Sequence, residues 1–257
     1  PDKSDASRAF AAKLKDALVA VNVKIFDDDL SAAAYEAQAP ENHFNQTLAE
    51  ATRIGAAIGC DFFLLVKSET LRRESLAKGA YVESYAAVYT VSARTGRLIF
   101  WRLASFEEKN EDDARAKLFA STNILATEIA DKIKKASERE KIEKPAARFE
   151  ELPTENSPEA KNFRPPLPYR RLRPAYTSQA ALYLIEATVD VEIDVDENGA
   201  VSSIEIARWA GYGLDEAAAE NVKKMNWRAA SRDGKPLPTR VLLRYNFKKI
   251  EAAETGN

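Results

Sequence analysis

The densest set of potentially reactive side chains in this sequence is a row of carboxylates. These acids recur at every second position: Asp190, Glu192, Asp194 and Asp196. A period of two puts all of them on one face of a β-strand. We interpret the row as a solvated strand face that ends in a hairpin turn, because apolar residues fill the positions between the acids.

Calcium binding is the alternative for the same acids. The run from Asp194 to Gly199 is similar to the start of an EF-hand loop, and Glu205 follows six residues after the glycine. An EF-hand needs flanking helices, whereas both flanks here have strand periodicity. Weak calcium binding stays open as an alternative, and we expect no metal site.

The residues that most often carry catalysis are nearly absent. His43 is the only histidine and Cys60 the only cysteine, and neither stands in a nucleophile-elbow or Cys–His pattern. One histidine and one cysteine cannot build a typical zinc site. We expect His43 to be a surface or capping residue at a helix start and Cys60 a small buried side chain. The sequence therefore predicts no catalytic residue, no cofactor and no enzyme activity.

A basic run offers a different kind of site. It consists of Arg164, Arg170, Arg171 and Arg173, with Tyr169 and Tyr176 interleaved. Such a run can contact nucleic acid or lipid headgroups. The net charge of −2 argues against nucleic acid as the main partner. We favour a solvated segment that packs its tyrosines on the C-terminal domain.

The elements that must position these residues form a compact pattern over residues 187–247. A strand with alternating apolar residues leads into the turn at Asn198 and Gly199, whose residue types tolerate positive φ. A second strand follows through Ile204 and Ile206. Apolar residues at helical spacing then predict a helix: Leu214, Ala217, Ala218, Val222 and Met225. A last strand is predicted over about residues 239–247.

Six short motifs occur in this part of the chain. They are Pro174-Ala175-Tyr176-Thr177-Ser178-Gln179-Ala180, Asp196-Glu197-Asn198-Gly199, Gly213-Leu214-Asp215-Glu216-Ala217-Ala218, Val222-Lys223-Lys224-Met225, Trp227-Arg228-Ala229-Ala230 and Asp233-Gly234-Lys235-Pro236. In this order they resemble the C-terminal domain of TonB-family energy transducers, over roughly residues 165–250. Thr177 and Ala229 stand where the family pattern has proline, and Met225 where it has tryptophan.

The resemblance implies a peptide-binding strand. In the family, an extended segment of an outer-membrane receptor pairs with an exposed strand of this domain, which here corresponds to residues 239–247. The implied peptide-binding residues are Arg240, Val241, Leu242, Leu243, Arg244, Tyr245 and Asn246. Two alternatives stay open: the strand is internal to its own sheet, or a second copy of the chain covers it.

Residues 1–138 form a second candidate domain with the predicted order α-β-α-β-β-β-α. We predict helices through Phe10 and Phe44, the latter ending at Gly59, and a strand at Val21, Val23 and Ile25. The apolar run at residues 62–66 predicts a strand in a parallel crossover. A hairpin is expected around residues 93–96, then one long helix over about residues 112–136.

The step from this second helix into the next strand resembles a motif of TolB N-terminal and CsgG-like periplasmic α/β domains. Its residues are Ile58-Gly59-Cys60-Asp61-Phe62-Phe63-Leu64-Leu65-Val66. The resemblance implies a small α/β domain with a mixed sheet and covering helices.

Prolines separate the two candidate domains. They punctuate a polar stretch from about residue 139 and predict a semi-extended linker. We expect an α+β protein with three parts: an α/β domain over 1–138, a Pro-rich linker over 139–170 and a TonB-like domain over 171–250. The last would be a three-stranded antiparallel sheet with one main helix.

The resemblance implies a periplasmic protein-binding module for energy-dependent transport. Its partner would be an outer-membrane receptor peptide or another envelope protein, with a homodimer possible. The alternative is a non-enzymatic envelope assembly or adaptor protein that oligomerises or docks through the N-terminal domain. No stretch has the roughly 18 apolar residues that cross a bilayer. Since residue 1 is Pro1 rather than methionine, we expect any anchor in a segment absent from this chain.

Overall fold

The computed structural model describes residues 2–142, 149–154 and 156–248. The chain divides into two compact units, Pro1–Glu143 and Lys144–Asn257. Each unit combines helices with a sheet whose long strands are antiparallel, so the predicted α+β class is confirmed. Within the described ranges, no helix is both long and apolar enough to cross a bilayer.

Over residues 2–142, the N-terminal unit contains five helices and one three-stranded meander. The elements are α1 (Asp5–Ala20), α2 (Asp28–Ala37), α3 (Leu48–Ile58), β1 (Phe62–Ser75), β2 (Gly79–Ser92), β3 (Leu98–Glu108), α4 (Glu111–Ala120) and α5 (Thr122–Ile142). The strands lie in the order β1-β2-β3, and both pairs are antiparallel. The hairpin expected around residues 93–96 is confirmed as the β2–β3 connection.

The core of this unit lies between the sheet and the helices α1, α4 and α5. Residues at helical spacing from α1 are buried against β2 residues that alternate toward the same face. The buried set is Phe10, Leu14, Ala17, Leu18, Ala86, Val88, Leu118, Leu125, Ala126 and Ile129. Burial at these positions supplies the main favourable free energy for folding the unit.

Helix α3 has clear start and stop signals. Thr47 and Glu50 form a reciprocal capping box, and Gly59 ends the helix with φ of 76°, as predicted. Gly55 lets α3 approach the β2–β3 connection, because a Cβ there would lie 2.3 Å from the Cβ of Ala93. Gly96 packs as closely, since its Cβ would lie 2.1 Å from the carbonyl oxygen of Leu48.

Three expectations for the strands of this unit are wrong. The residues around Val21 and Val23 form no strand: Asn22 adopts a φ of 62° and the chain turns back, with Val23 N–H donating to Leu18 O at 3.0 Å. The side chains of Val21 and Val23 instead pack against the hydrophobic core at this turn. The strand at residues 62–66 forms, but its described neighbour is the antiparallel β2, so the parallel crossover and the mixed sheet are not formed.

The predicted long helix is two helices. The hydroxyl of Ser121 donates to Leu118 O at 2.6 Å, and that of Thr122 donates to Phe119 O at 2.7 Å. Such side-chain bonds to preceding carbonyls compete with the helical ladder. They accompany the break at Ser121 between α4 and α5. The resemblance to TolB N-terminal and CsgG-like domains stays a prediction.

The C-terminal unit has one principal sheet and several short strand pairs. Its elements are β4 (Glu150–Glu151), β5 (Phe163–Arg164), β6 (Leu167–Pro168), α6 (Ser178–Leu182), β7 (Ala187–Val195), β8 (Val201–Arg208), α7 (Leu214–Lys223), β9 (Trp227–Arg228), β10 (Ala230–Arg232), β11 (Lys235–Leu237) and β12 (Thr239–Phe247). The principal sheet has the order β4-β12-β7-β8. The predicted three antiparallel strands are β12, β7 and β8, and the structure adds a short fourth strand, β4, parallel to β12.

Helix α7 covers one face of this sheet. The predicted alternation of β7 is confirmed on that face, where Val189, Val191, Ile193 and Val195 are fully buried. Leu214, Ala218 and Val222 are the buried residues of α7 at helical spacing. The sheet therefore has one core face and one outer face.

The described part of the segment predicted as a linker differs from an extended spacer. Helix α5 continues to Ile142, and residues 143–148 and 155 lie outside the described residues. Beyond them β4, β5 and β6 pair with β12, β10 and β9. Prolines permit this because each pairing is only two residues long and needs few backbone donors.

Candidate functional site

Strand β12 lies near one side of the principal sheet. It pairs with β7 over its whole length, from Thr239 opposite Val195 to Phe247 opposite Ala187. On its other side, β4 reaches only Thr239 and Arg240. Among the described residues, positions 241–247 therefore have no strand on that side. We call this stretch the open edge.

The direction of the backbone groups follows from one hydrogen bond. The N–H of Glu150 in β4 donates to the carbonyl oxygen of Pro238 at 3.2 Å, so Pro238 O points away from β7. Backbone groups of alternate residues point to the same side of a strand, and the pairing of β12 with β7 contains no bulge. The N–H and C=O groups of Leu242, Arg244 and Asn246 therefore face the open edge.

The inner face of β12 is anchored in the unit. Val241 and Phe247 are buried, and Leu243 and Tyr245 are half-buried. The Nδ2 of Asn221 in α7 donates to Tyr245 Oη at 3.3 Å and to Leu172 O at 3.0 Å. Burial raises the pKa of Tyr245. These contacts tie the open edge to α7 and to the segment before α6.

The outer face carries two bidentate ion pairs between directly opposed residues. Arg240 Nε and Nη2 bind the Asp194 carboxylate at 2.7 and 3.0 Å. Arg244 binds Asp190 in the same way, at 2.7 and 2.9 Å. Arg208 Nε lies 3.4 Å from the second oxygen of Asp190. The hydrogen bonds to the aspartates raise the pKa of both β12 arginines.

The expectation of a solvated carboxylate face is therefore wrong for two of its members. Asp190 and Asp194 are 2% and 3% exposed, because arginine side chains from the neighbouring strands cover them. Arginine suits this role, since its planar fork matches a carboxylate with two parallel hydrogen bonds. The same pairing occupies Arg240 and Arg244, two of the predicted peptide-binding residues.

Between the two ion pairs lies a row of three opposed residues in which the carboxylate charge is less fully neutralised. Glu192 is opposite Leu242 on one side and Glu205 on the other. Burial raises the pKa of Glu192, and the Arg240 guanidinium, 3.7 Å away, opposes that rise. Leu242 is 52% exposed. It is the apolar side chain that the outer face presents beside the open edge.

The fourth acid of the row, Asp196, belongs to the hairpin turn. Its Oδ1 accepts from the N–H groups of Asn198 and Ala200, both at 2.8 Å. The bond from Ala200 is the main cause that lowers the pKa of Asp196. The predicted turn is thus confirmed between β7 and β8. In the described part of the chain, no three His, Cys, Asp or Glu side chains are grouped so that they could hold a metal ion.

A buried carboxyl that the sequence analysis did not single out lies at the start of α7. Asp215 accepts from the N–H groups of Ala210 and Gly211 at 2.8 and 2.9 Å. Burial raises its pKa to about 7, against the opposing effect of these two bonds. Its position could have been noticed in the sequence, because an acid that follows a Gly-x-Gly turn in the first turn of a helix can accept hydrogen bonds from nearby backbone N–H groups.

The departure from the family pattern at Thr177 has a local explanation. Its Oγ1 donates to Tyr212 O at 2.6 Å and accepts from Ala180 N–H at 3.0 Å, which caps α6. Met225 is buried, so it occupies a packed position where the pattern has a larger side chain. Nothing in the structure explains Ala229.

The basic run behaves only partly as expected. Tyr176 packs on the unit and donates to Ala180 O and Ile185 O at 3.1 and 2.9 Å. Tyr169, in contrast, is 75% exposed. Arg164 lies in β5, while Arg170, Arg171 and Arg173 are exposed.

The two single residues of the N-terminal unit lie in ordinary packing environments. His43 Nδ1 is 3.0 Å from Tyr35 Oη, and burial lowers its pKa. It caps no helix, since Thr47 caps α3. Cys60 is half-buried between α3 and β1, and burial raises its pKa.

The C-terminal unit is thus a small α+β domain whose helix-covered sheet has an open edge along most of β12. Residues 173–248 match the model of the Gram-negative bacterial TonB protein C-terminal family. This part of the chain is a TonB-family C-terminal domain. The solution NMR structure of the Pseudomonas aeruginosa TonB C-terminal domain is similar at 18% identity and a TM-score of 0.30, covering 41% of this chain and 99% of that one. A search of curated proteins found no match.

Proposed function

We propose that this protein is a periplasmic TonB-like binding module that captures an extended peptide of an outer-membrane receptor by β-strand addition at β12. It would thereby take part in energy-dependent transport. The observation that carries the proposal is the open edge at residues 241–247. The family of residues 173–248 supports the same conclusion.

Backbone groups supply most of the affinity in this proposal. Leu242, Arg244 and Asn246 each direct one N–H and one C=O to the open edge, and an added strand pairs with such groups whatever its sequence. Arg240 and Arg244 serve to stabilise β12 on the sheet rather than to bind an anion of the peptide, because Asp194 and Asp190 already pair with them. Side-chain preference then comes chiefly from Leu242 on the outer face.

The proposal assigns no catalytic residue, no cofactor and no metal. The peptide-binding residues are the predicted set from Arg240 to Asn246. The protein would act in the periplasm. An outer-membrane receptor peptide is the proposed partner, and nucleic acid is not.

A single proline substitution at the open edge, with a matched alanine control, tests the proposal. Ten-residue peptides are first selected on the full chain from a random phage-displayed library. Leu242→Pro removes an N–H that faces the open edge and is not needed for pairing with β7, so peptide affinity should fall at least about tenfold with a modest loss of stability. Leu242→Ala loses the same side chain but keeps the N–H, and it should retain most of the affinity.

Two results would contradict the proposal. One is wild-type affinity in Leu242→Pro, measured by fluorescence anisotropy on protein whose circular dichroism shows it to be folded. The other is failure of the full chain to select any peptide.

A hairpin arm of the N-terminal unit favours assembly as a second candidate function. The β3 strand ends at Glu108 opposite Val82, whereas β1 and β2 continue as a two-stranded arm. Leu76 at its tip is fully exposed. Two-stranded arms are marginal alone and gain stability from a partner. Light scattering of the full chain at rising concentration tests this: rings or filaments favour assembly, and a constant monomer mass contradicts it.

A further inference from the structure

The protein's own chain occupies the first part of the β12 edge. Glu150 and Glu151 of β4 lie parallel to Thr239 and Arg240. The pairing includes the 3.2 Å hydrogen bond from Glu150 N–H to Pro238 O. It is reinforced by an ion pair between Glu150 and Arg232. A strand that extends along the whole of β12 therefore competes with β4 for the same backbone groups.

The contacts of β4 are weak compared with those on the other side of β12. Strand β7 pairs with β12 over nine residues, whereas β4 has two residues. The side chains of Glu150 and Arg232 are 41% and 33% exposed, so water weakens their ion pair. Short, solvent-exposed pairings of this kind open far more readily than core strands.

We propose that β4 is a built-in competitor strand that a long peptide displaces from the β12 edge. The inference rests on the proposed function. A peptide that pairs only with residues 242–246 leaves β4 in place. A peptide that extends to Arg240 and Pro238 must release it, so its apparent affinity is reduced by the fraction of molecules in which β4 is docked.

The direction of the β4 backbone provides a matched pair of variants. Since Glu150 N–H points to β12, the N–H of the next residue, Glu151, points away. Glu150→Pro therefore removes the docking hydrogen bond together with the ion pair to Arg232, and Glu151→Pro leaves both intact. Both variants place the same residue type in the same short strand, so a general effect of proline appears in both.

The probes are the ten-residue peptide selected on the full chain and its two truncations, each lacking three residues from one end. Glu150→Pro should bind the full-length peptide about threefold to tenfold more tightly than wild type, as expected from loss of one competing hydrogen bond and one exposed ion pair. One of the truncated peptides should bind wild type and Glu150→Pro equally. Glu151→Pro should match wild type for all three peptides.

Amide hydrogen exchange provides a second measurement. On saturation with the full-length peptide, the Glu150 amide should lose protection while the amides of Leu242 and Arg244 gain it. The inference is overturned if Glu150 stays protected, or if Glu150→Pro and Glu151→Pro bind the full-length peptide with equal affinity. Failure of every peptide to bind even Glu150→Pro would instead overturn the proposed function, on which the inference rests.

Discussion

Strands β1 and β12 each have a side that faces away from their full-length partner strand. That side is covered in the middle of β1 and open over residues 241–247 of β12. In the N-terminal unit, α1 covers the middle of β1: Ser68 N–H donates to Ser7 Oγ at 2.7 Å, and the Ser7 hydroxyl lies 3.2 Å from Ser68 O. The Ser68 N–H is thus satisfied and buried, while the single Ser7 O–H also has Asp2 Oδ2 as a nearer acceptor, at 2.6 Å. In the C-terminal unit, residues 241–247 of β12 have no such cover among the described residues.

The two edges differ in what lies over their backbone groups. An uncovered edge is a hazard for aggregation, and proteins blunt it with charge or with other elements. One serine from a helix does so at β1. At β12, arginines are present but turned onto the sheet face by Asp190 and Asp194. The backbone is left accessible while the charges stabilise the strand that presents it.

The largest effect on stability is expected from removing one of the Arg–Asp ion pairs on the outer face of β12. Arg240→Ala removes the bidentate partner of the buried Asp194 carboxylate. An unpaired buried charge is costly, so the free energy of unfolding should fall by about 2–4 kcal/mol. Urea denaturation measures this.

The control is Arg115→Ala, which breaks an exposed pair with Asp112 and should cost less than about 0.5 kcal/mol. Equal losses of unfolding free energy in the two variants would show that the Arg–Asp ion pairs on the outer face of β12 do not stabilise the strand.

Much of β12 and its sheet could be predicted from sequence because the information is local. Alternation identified β7 and the closing strand, and residue types identified the turn at Gly199. The inner face of β12 followed from the same period of two. Peptide binding by the residues from Arg240 to Asn246 stays a prediction.

The rest depends on contacts between distant residues. Arg240 and Asp194 are 46 residues apart, and Arg244 and Asp190 are 54 apart. Their pairing requires the register of β12 against β7, which no local pattern specifies. The two-residue strand β4 is too short to have a period, and the break between α4 and α5 depends on the hydroxyls of Ser121 and Thr122.

A smaller effect is expected from opening the protected edge. Ser7→Ala leaves the N–H of Ser68 without its buried acceptor and removes the hydrogen bond from the Ser7 hydroxyl to Asp2. The two losses together should cost about 1–2 kcal/mol of stability. It should also raise self-association of the full chain, measured by sedimentation velocity. Ser4→Ala serves as the control, because it removes a helix cap on α1 without touching Ser68. If both variants associate equally, the Ser7 contact does not protect the edge.

The smallest effect concerns the charge beside the open edge. Burial raises the folded-state pKa of Glu192 above 4.5, so the folded protein holds this proton more tightly than the unfolded chain. That contribution to stability is complete at low pH and is lost as pH rises through the folded pKa. Glu192→Gln removes the ionisation and should stabilise the protein at pH 7 by less than about 1 kcal/mol, since the side chain is part exposed.

At pH 4 the Glu192→Gln variant and wild type should unfold at nearly the same urea concentration. A variant that is less stable than wild type at pH 7 would mean that the Glu192 carboxylate gains more from Arg240 than it loses by burial. In that case Arg240 would support two acids on the outer face, and the predicted cost of Arg240→Ala would rise accordingly.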